Sequence, residues 1–140
     1  MSSSDLTATT QTLVHRYLQA LAARDAASLG EFFAETLDWD VPGARELAPW
    51  LGPRHSRQEV ETFFELLFAN TGPVEAHLDH LLVDGAVAIV TGNFSTTMTQ
   101  TGKPYVSRIC IQLRVENGQI VHYRLLEDTL ALVRALTPGP

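Results

Sequence analysis

From Val74 onward apolar and polar residues alternate, and that period of two predicts a run of strands. "VEAHLDHLLV" is the first, with Asp84-Gly85 as its turn; "AVAIVTGNFSTTM" is the second, with "QTGK" as its turn. "YVSRICIQLRV" is the third. Asn117-Gly118, two positions that tolerate positive φ, makes a hairpin into the fourth, "QIVHYRLL". "EDTLALVRAL" reads as a closing helix with Asp128 as N-cap, ended by "TPGP". Before Val74 the period is helical. Asp5 is expected to cap a helix running to about Ala23, with Thr10, Leu13, Val14, Tyr17 and Leu21 on one stripe. "RDAASLGEFFAE" predicts a second helix, capped by Asp25, with Leu29, Phe32 and Phe33 inward. "LDWDV" is a short strand stopped by Pro42 and Gly43, and residues 43–55 read as a long loop. Ser56 and Glu59 form a capping box, opening a third helix with Val60, Phe63, Phe64 and Leu67 on one face. The order is two helices, a strand, a helix, four antiparallel strands and a helical tail. That is an α+β chain, a curved sheet wrapped around helices, in one domain over residues 1–140.

Alternation also assigns faces. Tyr105, Ile109, Ile111, Leu113 and Val115 share one face; Arg108, Cys110, Gln112 and Arg114 share the other. Phe94 and Met98 go with Val90, and Leu125 goes with Val121 and Tyr123. Trp39 and Val41 take one face, Asp38 and Asp40 the opposite one. Asp40 is therefore a solvated charge near a turn, unless a bulge or the Pro42 bend swings it inward as a base. His77 and His80, three apart on a strand, are expected on opposite faces, and no cysteine cluster lies nearby, so no metal site is predicted. Cys110 has no activating neighbour and reads as an inert, half-buried thiol.

Composition narrows the function classes. The 45% hydrophobic and 19% charged residues suit a folded chain of this length, and 140 residues suit one domain. A net charge of −6 without any Lys/Arg-rich run offers no phosphate-tracking surface, so no nucleic-acid partner is expected. The single cysteine cannot form an internal disulfide, which fits a reducing compartment. "MSSSDLTATTQ" lacks the basic and apolar regions of a signal peptide, and no apolar run reaches the roughly 18 residues of a membrane span. A cytoplasmic protein with no membrane partner is the expectation. No P-loop, Rossmann glycine pattern or G-x-S-x-G is present, and no cofactor is expected.

The stretch "VHRYLQALAARDAASLGEFFAETLDWDVPG" and the final "VENGQIVHYRLLEDTLAL" resemble the NTF2-like superfamily, within it the SnoaL-like and ketosteroid-isomerase-like proteins. The resemblance runs from about residue 6 to 135. It implies a cone: a curved antiparallel sheet wrapped around three helices, enclosing a pocket, often paired into a homodimer through the outer sheet face. It also implies where catalytic groups would stand. The isomerases' oxyanion donor falls on Tyr17, their base on Val41 beside Asp40, and their protonated acid on Ile111. The last-strand aspartate of the cyclases and epoxide hydrolases falls on Leu125. The hydrolases' arginine and aspartate on the central strand fall on Gly92 and Phe94. Apolar residues or glycine thus replace most of the family's polar machinery.

Three functions stay open. The first is binding of a small hydrophobic molecule in an apolar pocket lined by Tyr17, Trp39, Val41, Phe64, Phe94, Ile111, Tyr123 and Leu125. The second is an isomerase, polyketide cyclase or epoxide hydrolase acting on a steroid-, polyketide- or terpene-like substrate, with Asp40 or Glu127 as base and Tyr17 as donor. The third is a non-catalytic interaction module that uses the sheet face. Glu127 shares the face of Leu125 and is expected at the pocket mouth. The segment around Trp50 is either a flap over the cone or a packed connection.

Overall fold

A computed structural model of the chain describes residues 2–139; the terminal residues of the expected 1–140 domain and of its "TPGP" end lie outside them. Helix α1 spans Ser3–Ala23 and buries Thr10, Leu13, Val14 and Tyr17. Its N-cap is Ser2, not Asp5: the Ser2 hydroxyl accepts from the Asp5 backbone N–H at 3.2 Å. Asp5 instead occupies the first turn, where a carboxylate favours the positive helix end. The predicted second helix is cut short. Helix α2 covers only Ala26–Gly30, capped by Asp25, and strand β1 takes Phe33–Val41. Phe33 is fully buried, but as a strand residue.

The 43–55 loop hides a second correction. Gly52–Ser56 form strand β2, antiparallel to β1, with Val41 opposite Gly52 and Asp40 opposite Pro53. Its "GPRHS" has no apolar alternation, so its backbone pairing leaves no trace in side-chain pattern. Helix α3, Arg57–Asn70, begins at the predicted capping box: the Ser56 hydroxyl accepts from the Glu59 N–H, and Glu59 reaches back to Ser56 and the His55 N–H. Strands β3 (Glu75–Asp84), β4 (Val87–Thr97), β5 (Pro104–Glu116) and β6 (Gln119–Glu127) follow, then helix α4, Thr129–Leu136. Asp128 caps α4 by accepting from the Ala131 N–H at 3.0 Å.

The six strands make one curved sheet in the order β2-β1-β6-β5-β4-β3. It is mixed and not wholly antiparallel, because β1 pairs parallel to β6. The architecture is nonetheless the α+β cone that the resemblance implies, with α1, α3 and α4 packed on the sheet and α2 on α1 and α3. Inward residues of β1, β4, β5 and β6 make the core with α1 and α3: Trp39, Val90, Ile111, Leu113, Tyr123 and Phe64 are all buried.

Two bulges modify the face assignments. Between β3 and β4 the register shifts: Leu78 opposes Gly92, and His80 opposes Thr91. Asp79 is the extra residue. His77 opposes Asn93, so both histidines lie on the face of Asn93 and Thr91, contrary to the expectation of opposite faces. Gly92 permits this close passage, since a Cβ there would lie 2.3 Å from the His77 carbonyl oxygen. His77 meets only exposed Asp79, at 3.4 Å, and among the described residues no three His, Cys, Asp or Glu side chains could hold a metal. In β6, Val121 is bulged out of register, which leaves Ile120, Tyr123, Leu125 and Glu127 facing inward.

Candidate functional site

The inner sheet face, α1, α3 and α4 enclose a cavity of about 490 Å³. Its size falls within the range of small-molecule sites. Six of the expected residues line it: Phe64, Phe94, Ile111, Tyr123, Leu125 and Glu127. Tyr17, Trp39 and Val41 do not. They face the same way, but sit deeper, as packed floor beneath the cavity. Trp39 stacks on the Tyr123 ring, with centroids 4.3 Å apart and planes 8° from parallel. The Tyr17 hydroxyl is spent on the Tyr123 hydroxyl at 2.6 Å. Burial is the main reason that both phenols titrate well above their ordinary value.

Asp40 does not reach the cavity. It lies opposite Arg124 of β6 and Pro53 of β2, on the outer face, half-buried. The neighbouring outer carboxylate, Asp38, pairs with Arg124 at 3.0 Å and with His122 at 3.4 Å. No bulge at Pro42 turns Asp40 inward, since its pairing stays regular through Val41.

Glu127 is the carboxylate that does enter. It ends β6 on the inner face, opposite Ile109 of β5. It is the one carboxylate among the described residues lining the cavity. Burial alone pushes its carboxyl up to about 7; no hydrogen bond or counter-charge offsets that cost. A carboxyl near neutrality can give or take a proton at physiological pH.

Several wall residues carried weak signals in the sequence. Phe68 continues the Phe64 stripe of α3 one turn on, and Trp50, from the segment before β2, is buried and forms wall, so that segment is a packed connection. Tyr105 is held edge-on by Phe94 at 5.2 Å. Its hydroxyl is buried without a hydrogen-bond partner. The nearby Ser107 hydroxyl is committed to the Arg108 carbonyl and the Asp128 N–H. Burial and then the Glu127 charge raise the Tyr105 phenol; Ser107 tempers the rise from outside hydrogen-bond geometry. Arg24, in left-handed conformation after α1, is the cation of the wall. Its guanidinium donates to the carbonyls of Phe68, Thr71 and Gly72 and lies 4.8 Å from the Phe68 ring. It is consumed in closing the end of α3.

Comparison with known proteins places this geometry. A curated relative, Patulin synthesis protein F of Aspergillus clavatus, is 27% identical over 100 residues, covering 67% of this chain. The chain spans about half, 49%, of that relative's length. Among solved structures, an NTF2-like protein from Burkholderia thailandensis superposes with a TM-score of 0.80 at 27% identity, covering 93% of this chain and 98% of that one. TerC, co-crystallised with polyporic acid, gives 0.79 at 12% identity, covering 91% and 98%. An LEH-like epoxide hydrolase from M. tuberculosis gives 0.71 at 17% identity, covering 93% of each chain. The SnoaL-like domain family matches residues 14–123, well over half of the chain. With the cone, its cavity and this match together, the chain belongs to the SnoaL-like family of the NTF2-like superfamily.

Proposed function

We propose that the protein binds a small, mainly hydrophobic molecule inside the cone. The observation that carries this reading is the cavity of about 490 Å³, walled by aromatic and aliphatic side chains with Glu127 as its one carboxylate. That lining favours apolar surface and fixes orientation through few polar groups. Titration with a neutral solvatochromic dye such as Nile red tests it. One dye per chain is expected, and Leu125→Arg, which fills the cavity with a charged side chain, should abolish binding. A wild-type chain that takes up no dye, or a variant that binds it equally well, overturns the reading.

A second reading is favoured by Glu127 itself. Its inward position and near-neutral titration suit it to acid–base work on a bound substrate, in the isomerase, cyclase or hydrolase class. Asp40, on the outer face, has no path to a cavity substrate. Tyr17 would act through Tyr123 and not directly. The outer sheet face supports a homodimer: Val106, Leu126, Val87 and Leu82 are exposed there. The lone cysteine fits a cytoplasmic location, and no described helix is long and apolar enough to cross a membrane.

A further inference from the structure

We infer that Glu127 is the docking point for a cationic head group, a protonated amine, on an otherwise hydrophobic ligand. The inference rests on the proposed cavity binding and names the chemistry of its occupant.

Glu127 is half-buried at the cavity wall, and withdrawing a carboxylate from water is costly unless something pairs with it. Glu127 lines the cavity and has no such partner among the described residues. Asp128, next in the chain, is occupied as the cap of α4, and Ser107 is spent on two backbone groups. The wall's own cation cannot serve, because three carbonyls at 2.9–3.0 Å already hold Arg24. A cationic group brought by the ligand would supply that partner. The rest of the wall suits a cation. Trp50, Phe64, Phe94 and Tyr105 add aromatic surface to the wall that no protein cation occupies, and aromatic rings attract cations most when water is excluded. The chain's net charge of −6 draws cations and repels anions. A hydrophobic amine would thus exchange its hydration for one carboxylate and an aromatic wall.

Calorimetric titration with two probes of equal size tests this: naphthylmethylamine, protonated at neutral pH, and the uncharged naphthylmethanol. Wild type should bind the amine at least roughly tenfold more tightly, the range of a hydrogen bond to a charged group. Glu127→Gln keeps the volume and the hydrogen-bonding capacity but removes the charge. It should erase the preference by weakening the amine's binding at least roughly tenfold. Equal binding of both probes by wild type overturns the inference, needs no variant, and leaves the cavity reading standing. So does a preference that survives in Glu127→Gln, which would locate the attraction elsewhere on the acidic surface. If neither probe binds, the inference and the cavity reading fall together.

Discussion

The hydroxyl oxygens of Tyr17 and Tyr123 lie 2.6 Å apart in the floor of the cone, fully enclosed. One phenol must donate to the other, and neither hydroxyl has another hydrogen-bond partner among the described residues. Tyr17→Phe therefore strands the Tyr123 hydroxyl, at a cost of about 1–3 kcal/mol. The double variant Tyr17→Phe/Tyr123→Phe should be less destabilised than the sum of the two single changes. Urea midpoints of the four proteins check this; strict additivity would mean that the hydroxyls do not interact.

Asp40→Asn should leave fold and ligand affinity nearly unchanged, with stability shifted by less than about 0.5 kcal/mol. Its place opposite Arg124 and Pro53, away from the cavity, is the reason. A 10²-fold loss of rate, the scale of losing a general base, would show that Asp40 does reach substrate.

How much of this the sequence disclosed depended on the kind of information each feature needs. Helix stripes and strand alternation are local, so α1, α3 and β3 to β6 were legible, as were the Ser56–Glu59 capping box and the Asn117-Gly118 turn. The two adjacent phenylalanines of "EFFAE" satisfy either period, so they do not separate helix from strand, and β2 leaves no pattern because its pairing is carried by backbone. The parallel neighbour of β1 lies some eighty residues away, beyond any local pattern. At the site, alternation told inward from outward but not depth. That is why Trp39 and Val41 were grouped with Ile111 and Leu125, yet form floor and not wall. Glu127 was legible by parity with Leu125. The face of His77 and His80 was not, because one bulged residue inverts parity beyond it.

Glu127 should make stability depend on pH. Its folded-state value of about 7 exceeds the ordinary 4.5, so the folded chain holds this proton more tightly than the unfolded chain. Stability contributed in this way is present at low pH and is lost as pH rises between those two values. The facing phenols, Tyr105 and Tyr123, stay neutral throughout, since both are raised by burial. Above neutrality Glu127→Gln should be the more stable protein, by on the order of 2–3 kcal/mol. Thermal midpoints of wild type and variant from pH 5 to about 8 test the sign; parallel curves would place Glu127 in solvent.

Ile111→Asp should behave in the same direction, more severely. Ile111 is buried on the cavity wall opposite Leu125 and Val90. A carboxyl there has no partner, so its pKa should rise well above the roughly 3.9 of free aspartate. The variant's deficit relative to wild type should widen as pH rises. A deficit that stays constant with pH would mean position 111 is open to water.

The open sheet face predicts a dimer. Light scattering at low micromolar concentration should return about twice the 15.4 kDa chain mass, and a clean monomer there excludes the pairing. Leu126→Lys, at an exposed apolar site on that face, should then shift the equilibrium toward monomer.

The parallel seam between β1 and β6 also dictates when the chain can fold. On the ribosome, β1 and β2 emerge early, but the strand that must lie between β1 and the rest of the sheet is the last to be made. Until Gln119–Glu127 clears the exit tunnel, β1 keeps an unpaired edge and Trp39 lacks the ring it stacks on. The N-terminal half is then a nascent segment with exposed aromatic surface, the kind that aggregates or recruits chaperones. Closure must wait for contacts of long sequence separation, which slows folding. Truncation before β6 should therefore cost the whole domain, and not just its last strand.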